Sequence, residues 1–358
     1  MTDTPTTGRP KPRQAIERME EYRPPTSSRI GKERLDFNEN TVGCSPKVIQ
    51  TLRKVGTPDF VATYPEYGRA KQLIGDFFGL KANQVLLSDG TDEGIHILVQ
   101  TYVEPGDEVV TPWPAFPMYR FYTQVAGGVH VPVALREPDL SFPVDELLAA
   151  IGPKTRAVII ANPNNPTGGA IGLDVVEQVL QKAQDAAVLI DEAYFEFYGV
   201  TALDLIPHYP NLFVSRTFSK AYGLAGLRVG CILSQAENIA AMRKGQSPYS
   251  VNSIAVACAL AAIEDSGYVE DYVEEVLDAR KLLLEALDRL GIPYFPTEAN
   301  FVLTQMGDRA KEVVSRLRER DILVRDRSAE RPGTVRLTVG NLEQTEWLIS
   351  ALEEIYQS

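Results

Sequence analysis

The feature that most constrains the fold of this chain is a series of short apolar runs separated by helical stretches. Residues 157–161 and 187–191 are apolar at nearly every position, and residues 173–184 between them have the pattern of a helix. Strands buried on both faces of a parallel sheet show such uninterrupted runs, whereas strands with one solvated face alternate. The rhythm extends from about residue 80 to residue 235 and predicts an α/β fold.

The pattern changes after about residue 242, which predicts a second, smaller lobe of the α+β class. A chain of 358 residues is also longer than one hydrophobic core usually supports. Residues 268–290 have the spacing of a long amphipathic helix, and Gly291 and Pro293 are typical stop signals. Further helices and strands are predicted around it, at residues 254–264, 309–319, 342–355, 300–303 and 334–338.

The composition argues against several classes of protein. The net charge is −12 and no basic run occurs, so we expect no nucleic-acid partner. No apolar stretch is long enough to cross a bilayer, and residues 1–12 lack the apolar core of a signal peptide, so we expect no membrane partner and no export. The three histidines lack metal-ligand spacing, which predicts no metal site, and the three dispersed cysteines are typical of a reducing cytoplasm.

One lysine segment carries the strongest chemical signal in the chain. Lys220 lies among the hydroxyl residues Ser215, Thr217 and Ser219, and Arg228 follows it. A lysine near hydroxyls and a second cation can form a Schiff base with a carbonyl group. The hydroxyls and the guanidinium can hold a phosphate. Because a carbonyl and a phosphate occur together on pyridoxal 5′-phosphate, the segment indicates that cofactor.

This segment resembles the lysine segment of fold-type I pyridoxal-phosphate aminotransferases, and it is most similar to the histidinol-phosphate aminotransferase family. The resemblance extends from about residue 22 to the C-terminus, and the order and spacing of Asn165, Asp191, Lys220 and Arg228 match the family. It implies a large domain with a mostly parallel sheet of the seven-stranded type between helices, together with a smaller α+β domain. It also implies that Lys220 binds the cofactor and serves as general base and acid.

The resemblance also implies a division of the chain into domains. Residues 1–12 are expected to be a disordered leader. Residues 13–50 would form the N-terminal part of the small domain, residues 51–245 the large cofactor-binding domain, and residues 246–358 the C-terminal part of the small domain.

Polar residues at the ends of two predicted buried strands are assigned to the cofactor ring by the resemblance. Asn165 would hydrogen-bond the ring hydroxyl, and Tyr194 would reach the same oxygen. A carboxylate at a buried strand end is costly unless it meets a cation, so Asp191 would pair with the protonated ring nitrogen. The residues alone leave two alternatives open: a plain turn at residues 162–168, and a helix cap or an arginine ion pair for Asp191.

Two further segments match parts of the family's cofactor site. One lies between a predicted strand and a helix, where free backbone amides suit a phosphate, and contains Gly90, Thr91 and Asp92. A plain helix cap is the alternative there. Phe116 matches the aromatic residue that stacks on the ring, with ordinary core packing as an equal alternative. Trp113 and Tyr119 are interpreted as core residues.

Substrate and partner contacts are also carried over from the family. An arginine inside an apolar strand is costly unless it meets an anion, and Arg336 matches the family's substrate-binding arginine. Arg325 resembles a second arginine near that anion, with a surface pair to Asp326 as the alternative. Tyr22 resembles a tyrosine that reaches substrate, and Asn165 would also contact it. Tyr64 matches a tyrosine that crosses from the other subunit to the cofactor phosphate, which implies a homodimer with shared sites.

The resemblance favours transamination between histidinol phosphate and 2-oxoglutarate, which gives imidazole acetol phosphate and glutamate in histidine biosynthesis. Two alternatives stay open: an aromatic amino acid aminotransferase, and a pyridoxal-phosphate decarboxylase of a phosphorylated amino acid. The loop at residues 38–43 departs from the family where Thr41 and Val42 stand, and this departure bears on the substrate rather than on the cofactor.

Overall fold

The computed structural model describes residues 10–21 and 29–357, and their strands form two sheets. The strands, in chain order, are β1 (Glu33–Leu35), β2 (Val85–Ser88), β3 (Glu108–Trp113), β4 (Val129–Ala134), β5 (Thr155–Ala161), β6 (Ala187–Asp191), β7 (Leu212–Thr217), β8 (Gly230–Ser234), β9 (Phe301–Gln305), β10 (Ile322–Asp326) and β11 (Thr334–Thr338). The helices are α1 (Gln14–Glu17), α2 (Pro46–Val55), α3 (Pro58–Ala62), α4 (Gly68–Phe77), α5 (Gly90–Tyr102), α6 (Pro117–Ala126), α7 (Val144–Ala150), α8 (Leu173–Lys182), α9 (Phe195–Tyr198), α10 (Ala236–Gly245), α11 (Ser253–Ile263), α12 (Ser266–Leu290), α13 (Ala310–Glu319) and α14 (Leu342–Gln357).

The larger sheet has seven strands in the order β2-β8-β7-β6-β5-β3-β4. Only β8 runs antiparallel to its neighbours β2 and β7, and the other pairs are parallel. The predicted α/β fold with a mostly parallel seven-stranded sheet is therefore confirmed. This arrangement brings the carboxyl ends of β5, β6 and β7 to one edge, where open α/β sheets bind their ligands.

The central strands are apolar throughout because each of their faces packs against a different core. In β5, Val158 and Ile160 belong to one buried cluster, while Ala157 and Ile159 belong to another. Side chains alternate between the two faces of a strand, so a strand covered on both sides has no solvated positions. This packing is the physical origin of the uninterrupted apolar runs in the sequence.

The smaller sheet has the order β1-β10-β11-β9, and it joins the N-terminal part of the chain to its C-terminal part. Strand β1 pairs parallel with β10, while β11 runs antiparallel to both β10 and β9. The long helix α12 ends at Gly291, which has a left-handed φ of 64°. That stop agrees with the expectation from the sequence, because glycine adopts this conformation without a steric penalty.

Three strands escaped the sequence prediction. Strand β4 lies at the edge of the large sheet and contains a histidine and a proline, which weaken a strand pattern. Strand β8 follows a glycine-rich segment, and β1 has only three residues.

Within residues 10–21 and 29–357, none of the helices combines the length and the apolar character that a membrane crossing requires.

Candidate active site

A cavity of about 600 Å³ lies where the carboxyl ends of the parallel strands face the smaller sheet. Most residues that the sequence singled out line it, although they come from segments far apart in the chain. The lining comprises Phe37, Asn38, Thr91, Asp92, Phe116, Pro117, Tyr119, Ala161, Asn165, Asp191, Ala193, Tyr194, Thr217, Ser219, Lys220, Arg228, Arg325, Arg327 and Arg336. The structure thus brings the predicted residues together, and the role of each one stays a prediction.

Lys220 lies just beyond the end of β7 and extends its amine into the cavity. Its Nζ atom donates a hydrogen bond to the backbone oxygen of Phe37 over 2.8 Å. The same atom lies 5.8 Å from the centre of the Tyr194 ring. Among the lining residues that the structure describes, Lys220 is the single amine, and a neutral backbone acceptor rather than a carboxylate holds it.

Asp191 forms the carboxylate end of the cavity. Only 4% of its surface is exposed, and it accepts hydrogen bonds of 2.6 Å from Tyr119 and Ser215. Burial raises the pKa of Asp191 above its usual value, while the two hydroxyl donors act in the opposite direction. Among the described residues no lysine, arginine or histidine forms an ion pair with Asp191. This buried carboxylate therefore suits a cationic ligand atom, such as a protonated ring nitrogen.

Tyr119 is a site residue that the sequence analysis left as core. It is fully buried, as expected, but its hydroxyl group is the donor to Asp191. The structure pairs Asp191 with the hydroxyl groups of Tyr119 and Ser215, and among the described residues no arginine forms an ion pair with it. No local signal identifies this contact, because the partners lie 72 residues apart in the sequence.

The opposite end of the cavity is suited to an anion. Gly90 begins α5 with a φ of +72°, and a β-carbon at this position would collide with the guanidinium of Arg228. Arg228 donates to Asp92 over 2.9 Å. The hydroxyl group of Thr217 and the backbone of Ser219 complete this end, where free helix amides and a cation suit a phosphate.

Three arginines line the wall that the smaller sheet contributes. Arg325 and Arg336 are directly opposite each other on the antiparallel strands β10 and β11, and Arg327 follows two residues after Arg325. Like charges at opposite positions destabilise a sheet unless an anion lies between them. Burial lowers the pKa of Arg336 to about 10, with Arg327 and Arg325 acting in the same direction. This wall therefore favours a strongly anionic ligand group.

Arg327 was missed by the sequence analysis, although a signal existed. Arg327 lies one residue beyond β10, but its backbone N–H continues the pairing by donating to Thr334, so strand alternation places Arg327 on the same face as Arg325. It is 4% exposed and forms an ion pair of 3.2 Å with Glu330. For Arg325, the Cζ atom lies 5.6 Å from the centre of the Phe37 ring, and the residue lines the cavity.

Asn165 and Tyr194 connect the arginine wall to the centre of the cavity. Arg336 donates through Nη1 to Asn165 over 2.6 Å and through Nη2 to the backbone oxygen of Asp36 over 2.7 Å. The Asn165 amide then donates to the Tyr194 hydroxyl over 3.1 Å. Asn165 and Tyr194 thus place an amide and a phenol hydroxyl side by side in the cavity lining, where they suit an acceptor oxygen of a ligand.

Three predicted residues need separate comment: Tyr64 does not line this cavity, Tyr22 falls on a part of the chain that the structure does not describe, and Phe116 does line the cavity. Tyr64 is 73% exposed and stacks on Tyr249 with ring centres 4.5 Å apart. Tyr22 lies outside the described residues. Phe116 lines the cavity and packs edge-on against Tyr119.

The residues fit pyridoxal 5′-phosphate at both of its ends. The buried carboxylate has no cationic partner among the described residues, which suits the ring nitrogen, and the cradle at Gly90 and Arg228 suits the phosphate. The amine of Lys220 lies among the residues that line the space between them. The described residues therefore present an amine, a buried carboxylate and a cradle for an anion, which suit this cofactor.

Comparison with known proteins agrees with this geometry. Residues 30–352 match the family described as aminotransferase class I and II. The chain is 35% identical over 328 residues to a histidinol-phosphate aminotransferase of Thermoanaerobacter pseudethanolicus, with 90% of this chain and 92% of the relative covered. It is 38% identical to the enzyme of the same name from Symbiobacterium thermophilum, with 89% of each chain covered.

Solved structures give the same picture. Histidinol-phosphate aminotransferase from Sinorhizobium meliloti, in complex with pyridoxal 5′-phosphate, superposes with a TM-score of 0.82 at 26% identity, and the match covers 91% of each chain. The enzyme of that name from Clostridium acetobutylicum superposes with a TM-score of 0.83 at 25% identity, covering 91% of this chain and 99% of that one.

Proposed function

We propose that this chain, which belongs to the family of class I and II aminotransferases, transfers the amino group of histidinol phosphate to 2-oxoglutarate with pyridoxal 5′-phosphate as cofactor. The chain is an aminotransferase, a transferase of nitrogenous groups. Curated relatives at 35–38% identity bear the name histidinol-phosphate aminotransferase, which supports this donor and a place in histidine biosynthesis.

The observation that carries the substrate proposal is the wall of three arginines. A phosphate monoester has about two negative charges at neutral pH and three acceptor oxygens. Arg325 and Arg336 supply two cationic donors on one side of the cavity, and Arg327, which is paired with Glu330, adds a third guanidinium group. The carboxylate of an aromatic amino acid has one charge and can be held by a single bidentate arginine. The cationic excess therefore favours the phosphorylated donor.

Each residue around the cofactor is assigned a task. Gly90, Thr91, Thr217, Ser219 and Arg228 would hold the phosphate, and Asp92 would orient Arg228 through their ion pair. Phe116 would stack on the ring. The chemistry that bound pyridoxal phosphate supplies is electron withdrawal from the substrate carbon that bears the amine.

The reacting groups are assigned in the same way. The Nζ atom of Lys220 removes and returns the proton of that substrate carbon, as a general base and acid. Asp191 stabilises a positive charge on the ring nitrogen. Tyr194 and Asn165 donate to the ring oxygen, and Arg336 with Arg325 holds the anionic end of the substrate. Asn165 and Tyr22 would contact the substrate as well.

We place the enzyme in the cytoplasm as a homodimer with shared sites. Tyr64 lies on an exposed surface beside a cavity lined by apolar groups of Phe60, Pro65, Val256 and Leu260. An exposed aromatic next to an apolar groove is typical of a protein interface. Tyr64 would then reach the phosphate of the partner's cofactor. The free cysteines Cys44, Cys231 and Cys258 are consistent with a reducing compartment.

The first test is the visible absorption of the cofactor-loaded protein as single amino donors are added without any acceptor. Histidinol phosphate should remove the band of the lysine-bound cofactor, whereas histidinol, the matched donor without a phosphate, should do so only at far higher concentration. If phenylalanine, tyrosine or tryptophan removes the band and histidinol phosphate does not, the amino donor is an aromatic amino acid. A protein that shows no such band after addition of pyridoxal phosphate would overturn the cofactor assignment.

A further inference from the structure

Three consecutive residues of the N-terminal segment, Asp36, Phe37 and Asn38, each contact a different group of the active site. The backbone oxygens of Asp36 and Phe37 accept hydrogen bonds from Arg336 and Lys220. Asn38 contributes a polar side chain, whose Nδ2 atom donates to the Tyr194 hydroxyl over 2.9 Å. Asn38 is fully buried and lines the cavity, so its amide acts on the site itself.

The orientation of the Asn38 amide follows from its other partner, Thr338. The backbone N–H of Asn38 can only donate, so the Thr338 oxygen accepts it over 3.1 Å. The Thr338 hydroxyl then donates its proton to Oδ1 of Asn38, also over 3.1 Å. With Oδ1 accepting from Thr338, the Nδ2 group of Asn38 faces Tyr194 and donates to its hydroxyl oxygen.

The same reasoning applies on the other side of Tyr194. The guanidinium of Arg336 can only donate, so Oδ1 of Asn165 accepts and the Asn165 N–H₂ group faces Tyr194. The Tyr194 oxygen therefore accepts two N–H donors and has no further acceptor capacity. The single interaction left to it is donation of its own proton, and Tyr194 lines the cavity.

We propose that Asn38 is a positioning residue that makes the Tyr194 hydroxyl an obligatory donor to the ring oxygen of the cofactor. This inference rests on the proposed cofactor. Two donors on the phenol oxygen polarise its O–H bond and strengthen the hydrogen bond that it donates. Because Asn38 also bonds Thr338 of the smaller sheet, the donor is aligned only when that sheet is docked on the large one.

The backbone of Asn38 accounts for the choice of residue. Its φ of 56° lies in the left-handed region, which asparagine and aspartate tolerate better than most residues and glycine adopts freely. Asn38→Asp therefore keeps the backbone and the shape but replaces the donor with an acceptor, which would take the proton of Tyr194. Asn38→Gly keeps the backbone and removes the amide without adding charge.

The test is the pH midpoint of the change in the bound cofactor's visible spectrum without substrate. A donor to the anionic ring oxygen stabilises the deprotonated chromophore, so its loss should raise the midpoint. For Asn38→Asp we expect a rise of about one to two pH units, the effect of one hydrogen bond to a charged group. Asn38→Gly should give a smaller rise in the same direction.

The matched control is Asn40→Asp, which adds the same charge to the same loop. Asn40 is also buried, but its amide bonds the backbone oxygen of Ala221 and does not contact Tyr194. The proposal is supported by two results together. The pH midpoint should shift more in Asn38→Asp than in Asn40→Asp. The shift in Asn38→Gly should disappear when Tyr194 is also replaced by phenylalanine. Equal shifts in the two aspartate variants, with none in Asn38→Gly, overturn it.

Two outcomes separate this inference from the proposed function. A wild-type protein without a visible band defeats the cofactor assignment, whereas a normal wild-type band with an unmoved Asn38→Gly midpoint defeats only the role of Asn38. If Asn38→Asp fails to fold or to bind the cofactor, the midpoint of Asn38→Gly alone tests the proposal. Glycine adopts the left-handed φ of position 38 and adds no charge to the site.

Discussion

Asp191 shows how single residues acquire their chemistry in this molecule. Its carboxylate is buried and held by the hydroxyl groups of Tyr119 and Ser215, which point their protons at it. Hydroxyl donors stabilise the ionised form without neutralising it, so the charge stays available for a cationic ligand atom. Burial raises the pKa of Asp191, and the two hydroxyl donors oppose that rise, so the site favours a cationic ligand atom that would stabilise the carboxylate.

We expect Asp191→Asn to lower kcat by about 10²- to 10³-fold, since a preorganised charge that stabilises the developing charge of the reaction is lost. Asparagine has the same shape and can bond both hydroxyl groups, so the thermal unfolding curve should stay cooperative. Steady-state kinetics with histidinol phosphate and circular dichroism measure the two effects. Asp145→Asn, at an exposed side chain, is the control. Undiminished turnover in Asp191→Asn would remove Asp191 from the mechanism.

At the residue scale the sequence identified Lys220, Asp191, Asn165 and Arg336, because an amine, a carboxylate, an amide and a guanidinium at strand ends are unusual by themselves. It did not identify Asn38, Tyr119 or Arg327 as site residues. Asn38 and Tyr119 contact their partners Tyr194 and Asp191, which lie 156 and 72 residues away in the chain. Such pairings have no local periodicity that a reader of the sequence could detect.

At the scale of the elements, the edge strand β4 of the large sheet carries a histidine, His130, whose pKa depends on its contacts with β3. His130 on β4 is partly buried against β3, where its Nε2 atom lies 2.7 Å from the Thr111 hydroxyl and its ring packs edge-on to Trp113. Burial lowers the pKa of His130 to about 4, and Arg120 acts in the same direction. The imidazole therefore stays neutral in the folded sheet at neutral pH.

This contact predicts acid sensitivity. The unfolded chain takes up the His130 proton below a pH of about 6.5, whereas the folded chain does so only near pH 4, so the unfolded state gains stability as the pH falls through that window. His130→Gln keeps a hydrogen-bonding group without titrating there. We expect its Tm to fall less than that of wild type between pH 7 and pH 5. His208→Gln serves as the control, and equal falls in wild type and His130→Gln would contradict the assignment.

Element boundaries followed the sequence closely wherever periodicity was strong. Helix α12 and strands β5 and β6 appear within a few residues of the predicted limits, because each has a complete apolar face and clear stop signals. The edge strand β4 has neither, and its position depends on pairing with β3 rather than on its own residues.

On the scale of the whole molecule, a homodimer with shared sites is testable by mixing variants. Lys220→Ala and Tyr64→Ala should each have little or no activity. In a mixed dimer, one site combines an intact Lys220 with an intact Tyr64 of the partner subunit, so co-expression of the two variants should restore turnover. Restoration would be measured on the purified mixed dimer, isolated with two different affinity tags.

The control for mixing is Lys220→Ala with Asp191→Asn. Both residues line the same cavity of one chain, so neither site of that mixed dimer is complete and no activity should return. If the Lys220→Ala and Tyr64→Ala mixture behaves like this control, Tyr64 does not act across the subunit boundary. Size-exclusion chromatography with light scattering would establish the oligomeric state independently.

The division into domains at residues 50 and 245 stays a prediction as well.

The sequence by itself determined the α/β class and the order of the strongly periodic elements, and it singled out the candidate reactive groups. These properties are local, since apolar periodicity, turn residues and unusual polar side chains act over a few neighbouring positions. Only the tertiary structure decided that residues 36–38, the arginines of the smaller sheet and the ends of β5 to β7 meet at one cavity. Contacts across hundreds of residues depend on the packing of the complete chain, and the donor at Tyr194 exists only where that packing brings Asn38 to it.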